Sequence, residues 1–414
     1  MTHRWRCGHH RGVPRILLLL PTATYRASDF IDAAARLDVE VVVGSEHRQA
    51  LARAMGDRAV VVPLHDVEAA VRAIVALHAR SALDAVVAVD DQGLEIASRA
   101  SSTLGLSHNP LDAVRAARDK TIMRERLASA GLCQPDYRVV APDGDAVAAA
   151  REIGFPCVLK PVSRSASQGV IRANDDDEAR VAAERIRAII EHRPENLLVE
   201  EFVAGDEVAV EGLLTRGTLD VLAVFDKPDP LDGPFFEETI YVTPSRQSPS
   251  VLADIGDSAA RAAAALGLRE GPVHVELRVG PEGVVTILEL AARSIGGLCA
   301  RALRFGAGVS LEELIILHAL GRGIEGLQRE ARASGVMMLP IRSAGVLDQV
   351  VGTERALAVE GVEGLDITIA PGRALTPLPE GDRYLGFIFA RAALPGEVEE
   401  ALRRAEACLE VRLA

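Results

Sequence analysis

The chain lacks long hydrophobic runs, paired cysteines and an excess of positive charge, and each absence removes a class of function. No apolar stretch in the 414 residues approaches the ~18–20 needed to cross a bilayer. The longest early run, Ile16–Leu20, fits a buried strand. Arg4, Arg6, Arg11 and Arg15 precede it in the manner of a signal peptide, but the run falls short of the ~7–15 apolar residues such a peptide needs. The expectation is a cytoplasmic protein without a membrane partner. Lys and Arg number 46 against 59 Asp and Glu, for a net charge of −13. Nucleic acid and anionic membranes reward clustered cations, so neither is an expected partner. A bound polyphosphate would need local positive charge and metal ions. The cysteines, at 7, 133, 157, 299 and 408, show no zinc or disulfide spacing. Cys7 with His9 and His10 could form a metal-binding tail, but a disordered leader over residues 1–14 is the expected reading. There is no internal repeat and no low-complexity tract.

What is present is organised in blocks. The length exceeds one compact core and suits two to four packed units. Ile16–Leu20, Val39–Val43, Val60–Val62 and Ala85–Val89 read as strands, with helices over Ser28–Leu37, Asp66–Ala79 and Gln92–Leu104 between and after them. This alternation predicts a small doubly wound parallel α/β domain over 15–107. Asp90 and Asp91 follow the last strand, where such sheets bind ligands; the bland reading, a loop and helix cap, is preferred. No Gly-x-Gly-x-x-Gly follows the first strand, which argues against a dinucleotide dehydrogenase. From Ser107-His-Asn-Pro110 to about 325 the pattern changes. Strands are expected over Gly154–Pro161, Leu197–Val203, Val208–Leu214, Asp220–Asp226, Val273–Val279 and Val284–Ala291. The last ninety or so residues, 326–414, read as a mostly β unit closed by a helix opened by Pro395.

The pair Val273–Val279 and Val284–Ala291 predicts a hairpin around Gly280-Pro-Glu-Gly283. Alternation places His274, Glu276 and Arg278 on one face of the first strand, and Val285, Ile287, Glu289 and Ala291 together on one face of the second. With Val279 facing Val284, Glu276 faces Ile287, and Glu276 and Glu289 become diagonal neighbours roughly 7–8 Å apart. Two such carboxylates suit magnesium, which completes its shell with phosphate oxygens. The competing reading is two solvated acids on an exposed face. Lys160, before Pro161 at the end of an apolar strand, can project a point charge onto phosphate. Lys120, within a charged helical segment, reads alone as a surface lysine. Ser163–Val170 is a loop of small and hydroxyl residues that could wrap phosphates or simply connect strands.

In order, these pieces resemble the ATP-grasp superfamily across roughly residues 15–414, with the specific motifs between 119 and 298. The resemblance implies mixed α/β and α+β architecture: a Rossmann-like N-terminal domain (15–107), a two-lobed nucleotide-binding domain (108–325) and a C-terminal α+β domain (326–414). It implies that Lys120 and Lys160 meet ATP phosphates and that Ser163, Ser165, Ser167 and Gly169 lie in a phosphate-covering loop. Glu200, Glu201, Phe202 and Val203 would cup adenine, and Glu207 would accept from the ribose. Glu276 and Glu289 would hold magnesium, two ions with manganese as a substitute. Arg293, with Lys160, would be catalytic, holding an acyl phosphate or tetrahedral intermediate. Where the family often reads Glu-x-Asn-x-Arg, this chain has Glu289-Leu-Ala-Ala-Arg293, so Ala291 offers no ligand. Ser294-Ile-Gly-Gly-Leu298 and Phe235-Phe-Glu-Glu-Thr239 are most similar to the L-amino-acid ligase branch. The implied activity is ATP-dependent joining of a small-molecule carboxylate to an amine through an acyl phosphate, releasing ADP and phosphate, in a protein that resembles dimer-forming relatives. The alternatives are a non-catalytic ATP-binding regulatory module and a biotin-carboxylase-like or purine-biosynthetic enzyme.

Overall fold

The computed structural model describes residues 12–21, 24–47, 58–324 and 326–414. Cys7, His9, His10 and most of the expected leader lie outside them. The first sheet uses β1 (Arg15–Leu19), β2 (Glu40–Ser45), β3 (Ala59–Val61) and β4 (Ala85–Ala88), in the order β3-β2-β1-β4 and all parallel. Helices α1 (Ala27–Arg36) and α2 (Val67–Arg80) supply crossovers, and α3 (Asp91–Leu104) follows β4 and packs against it. Parallel strands covered on both faces are apolar throughout. In β1, Ile16 and Leu18 enter one hydrophobic cluster while Leu17 and Leu19 enter another on the opposite side.

The chain continues through α4 (Leu111–Arg118) and α5 (Lys120–Ser129) into a four-stranded antiparallel lobe. This lobe contains β5 (Tyr137–Val140), α6 (Ala146–Ile153), β6 (Cys157–Pro161), β7 (Ile171–Ala173), α7 (Asp176–Ile189) and β8 (Leu197–Glu201), with strand order β5-β8-β6-β7. Asp145 and Asp175 cap α6 and α7 by accepting from the first-turn amides, the role short acidic side chains fill at helix starts.

The largest sheet has eight strands. It takes β9 (Asp206–Thr215), β10 (Thr218–Asp226), β11 (Ile240–Thr243), β12 (Gly271–Val279), β13 (Val285–Ala291) and β14 (Ala333–Leu339). β15 (Gly345–Val351) and β17 (Ala374–Leu375) pair apart from it with the last strand, whereas β16 (Val362–Ile367) and β18 (Gly386–Ala392) complete it. The order β13-β12-β9-β10-β11-β14-β18-β16 runs without interruption across residue 325. Helices α8 (Pro249–Leu266), α9 (Leu311–Ala319), α10 (Thr353–Leu357) and α11 (Pro395–Glu406) cover it, and β19 (Glu410–Leu413) ends the chain. One residue of the β8–β9 connection must be glycine: a Cβ on Gly205 (φ +131°) would meet the Val279 carbonyl oxygen at 2.3 Å. That close approach seats the small lobe on the β12–β13 hairpin. No helix among the described residues is long and apolar enough to cross a membrane.

Candidate active site

The hairpin forms one wall of the cleft between the small lobe and the large sheet. On β12 the alternation holds: Val273, Val275, Leu277 and Val279 join the core, while His274, Glu276 and Arg278 line the cleft. On β13 the expected alternation is overturned. Val279 pairs with Val285 and Leu277 with Ile287, but Glu276 pairs with Glu289 and His274 with Ala291. Leu288 is therefore an extra residue, a β-bulge. It lets Val285 and Ile287 enter the core while Glu289 and Ala291 turn to the cleft. The two glutamates are direct register partners rather than diagonal ones.

Lys120 is not a surface residue. It opens α5 behind the Asp119 cap, is 6% exposed, donates to the Arg164 carbonyl at 2.7 Å and pairs with Glu289 at 3.0 Å. Lys160 pairs with Glu200 at 2.5 Å, and the other Glu200 oxygen accepts from Arg124 Nε at 2.6 Å. Burial alone would raise the Glu200 carboxyl, but Arg124 and Lys160 outweigh it and hold it at about 2. Burial pulls the Lys160 ammonium below its usual range against the attraction of Glu200. The Glu200 side chain thus anchors the lysine.

One end of the cleft is apolar. Val158, Phe202, Val203, Leu231, Phe236 and Leu288 line it. Phe202 is flanked by the guanidinium groups of Arg172 and Arg278, 4.2 and 5.1 Å from its centroid. The amides of Glu201 and Phe202 donate to Asp136 and Pro156, so these two N–H groups serve the fold rather than a ligand. Glu207 accepts from Lys227 at 2.7 Å and from Arg278 at 3.1 Å; each oxygen retains a further lone pair for a hydroxyl. Ser165 and Ser167 line the cleft, whereas Ser163 and Gly169 do not. The Gly169 amide donates instead to Pro379 at 2.9 Å. At the loop tip, Ala166 and Ser167 adopt left-handed φ values of 55° and 54°.

Several site residues were invisible in the sequence. Lys227 follows β10 and its ammonium touches Glu207, Glu238 and Glu276 together. Oxygens of those three acids lie within 4.8 Å of one another, a spacing that suits a cation. Lys227 is that cation, and its charge draws Glu276 well below the usual carboxylate range despite burial, with His274 and Arg293 helping. His274 sits between Glu211 (Nδ1 to Oε2, 3.2 Å) and Glu276 (Nε2 to Oε1, 3.5 Å). Burial would lower its pKa, but the two carboxylates raise it to about 9. An alternating strand announces a shared face; it does not announce which distant strand supplies Lys227 or Glu211.

A second chamber opens beyond this wall, toward the N-terminal sheet. Ser165, Ala166, Glu238, His274, Glu276 and Arg293 line both spaces. Arg293 donates from Nε to Asp91 at 2.9 Å and from Nη1 to the Ser294 carbonyl at 3.0 Å. The cap reading of Asp90 and Asp91 is corrected here. Asp90 precedes α3 without a side-chain cap bond, and the Asp91 carboxylate fixes Arg293.

Residues 153–302 match the family described as ATP-grasp domain, and 31–108 match the ATP-grasp N-terminal domain. The chain carries an ATP-grasp domain. Residues 337–414 match the L-amino acid ligase C-terminal domain 2, so ATP-grasp segments are flanked by a ligase-type terminus. Alanine–anticapsin ligase of Bacillus subtilis is 26% identical over 271 residues, covering 60% of this chain and 56% of that protein. D-alanine–D-alanine ligase of Aromatoleum aromaticum is 29% identical over 222 residues, covering 53% and 67%. The chain spans just over half the length of the curated relatives it matches first. The crystal structure of L-amino acid ligase from Bacillus licheniformis superposes with a TM-score of 0.80 at 24% identity, covering 97% of this chain and 99% of that one. The shared ATP-grasp architecture accounts for the three-sheet arrangement around the cleft.

Proposed function

We propose that this chain is an ATP-dependent carboxylate–amine ligase that joins two amino acids or close analogues. The observation that carries the reading is the bulged hairpin, which sets Glu276 opposite Glu289 in a cleft shared with two buried lysines and Arg293. The donor set fits the groups the reading requires. The cleft has an apolar end for a base and a cationic end for phosphates. Glu276 and Glu289 are hard oxygen ligands suited to magnesium, two ions with manganese as a substitute. Bound there, the ions would neutralise phosphate charge.

In this reading a carboxylate oxygen of the donor attacks the γ-phosphorus, and the bond to the β–γ bridging oxygen breaks with release of ADP. Lys120 and Lys160 fix positive charge beside the phosphates, where a low-dielectric wall strengthens it. The second chamber holds the amine, whose nitrogen attacks the acyl carbon. The carbon–oxygen bond to phosphate breaks, phosphate leaves, and the nitrogen gives up a proton to solvent. Asp91 orients Arg293 so that Nη2, which has no protein acceptor among the described residues, meets the oxyanion. The Ser163–Val170 loop excludes water that would hydrolyse the acyl phosphate. Relatives named as alanine–anticapsin and D-alanine–D-alanine ligases support amino acids as the substrate class. The test is a screen of amino-acid pairs with ATP and Mg2+, reading ADP, phosphate and the amide. Stoichiometric AMP and pyrophosphate, or ADP binding without turnover for any pair, would overturn the reading.

A further inference from the structure

The cleft face of the hairpin has four corners: His274 and Glu276 on β12, with Ala291 and Glu289 opposite them. Three carry donor atoms, and the fourth is a methyl group that leaves space beside His274. The imidazole is held as metal-binding histidines are held. Its Nδ1 meets the buried carboxylate of Glu211, whose same oxygen also accepts from the Ile295 amide at 3.0 Å. A carboxylate behind one ring nitrogen holds the proton there and aims the other nitrogen outward. Here that other nitrogen, Nε2, points to Glu276 Oε1 at 3.5 Å, on the lining of the cleft, and the Lys227 ammonium lies 3.7 Å from the same oxygen, so an ion there shares Glu276 with Lys227. Adjacent ligands on an octahedral ion with bonds near 2.1 Å lie roughly 3.0 Å apart, so a small rotation brings the two atoms onto one ion.

We propose that Nε2 of His274 is a metal ligand of this cleft, acting with Glu276 beside the corner that Ala291 leaves open, and that it biases the site toward Mn2+ over Mg2+. The inference rests on the nucleotide–metal reading of the cleft. Magnesium demands oxygen ligands, whereas imidazole favours first-row transition ions. Coordination displaces the Nε2 proton to solvent and replaces the His274–Glu276 contact with two bonds to the ion. An oxygen donor at residue 291 would make the histidine dispensable.

The test uses the full chain with ADP and Mn2+, read by pulsed electron paramagnetic resonance and by metal titration. Wild type should show directly bonded nitrogen that changes pattern when histidine is labelled with 15N. His274→Ala should lose that signal and bind Mn2+ at least tenfold more weakly, while Mg2+ affinity changes less than threefold. Adding Ala291→Asn to that variant should recover Mn2+ affinity without restoring nitrogen. His274→Phe, similar in bulk and without a donor atom, provides the same comparison if the alanine variant does not fold. Bound Mn2+ that is lost in Glu276→Gln but shows no nitrogen coupling in wild type would overturn the histidine assignment alone. No Mn2+ binding by wild type with ADP would remove the metal reading of the cleft as well.

Discussion

Glu200 and Arg293 show how single charges are fixed before any ligand arrives. Glu200 is held at about 2 in the fold against an ordinary value of 4.5. Between those pH values the unfolded chain binds more protons, so this stabilisation is complete above about pH 4.5 and is lost as pH falls toward 2. The difference corresponds to roughly 3 kcal/mol at about 1.4 kcal/mol per pH decade. Urea unfolding of wild type should therefore weaken through that window. Glu200→Gln should start less stable at neutral pH and follow a flatter curve; an equal slope would place the acid sensitivity elsewhere. Arg293 tests geometry rather than charge. In the proposed reading its planar fork serves Asp91 and the reacting oxygens together, which an ammonium cannot do. Arg293→Lys should lower turnover about 100-fold, roughly 2.7 kcal/mol, with ADP affinity little changed. Near-normal turnover would leave Arg293 as a structural ion pair.

Among the elements, the β13 bulge decides the site. A one-residue slip moves a strand's whole side-chain set to the opposite face. Val285 and Ile287 obey a core-facing alternation, and Leu288 resets it so that Glu289 and Ala291 face the cleft. The bulge also turns the Leu288 carbonyl to Arg124 Nη2 at 2.5 Å, tying the hairpin to the Lys160 anchor. Deleting Leu288 should preserve strand pairing and keep Glu289 in the cleft, but remove that acceptor from a buried guanidinium. The expected loss is about 1–3 kcal/mol in denaturant unfolding with native-like circular dichroism; unchanged stability would mean the carbonyl is not needed. Such features set the limit of sequence reading. The parallel strands and the cleft face of β12 were legible because their apolar periods are clean. The register of β12 against β13 was not, because it depends on loop length and a bulge, neither of which alters composition. β5, β11, β15, β17 and β19 were missed as short or largely exposed strands whose pairing is supplied by distant segments. Lys120 looked like a surface residue because its burial comes from the 163–170 loop and from β13, far away in the chain.

At the scale of the whole molecule, the small lobe is tied to the C-terminal part by few contacts. Gly169 donates to Pro379, Gln168 donates to the Glu380 carbonyl at 2.8 Å, and Arg185 forms a two-point ion pair with the Glu380 carboxylate. The pair is 40% exposed on both sides, so it adds little to global stability. Its position across the loop gives it a different influence. Glu380→Ala should leave the melting temperature within about 2 °C, near the shift expected for an exposed pair, while amides at 163–170 exchange hydrogen several-fold faster. Unchanged exchange would show that the backbone bonds alone hold the loop. The eight-stranded sheet has a further consequence, for biosynthesis. β11 is an interior strand whose outer neighbour, β14, is encoded well after it. While the chain emerges from a ribosome, the outer edge of β11 stays open until Ala333–Leu339 follows. Open edges recruit strands from other chains. The order of synthesis therefore makes the stretch between β11 and β14 an interval in which this protein needs protection from its own copies.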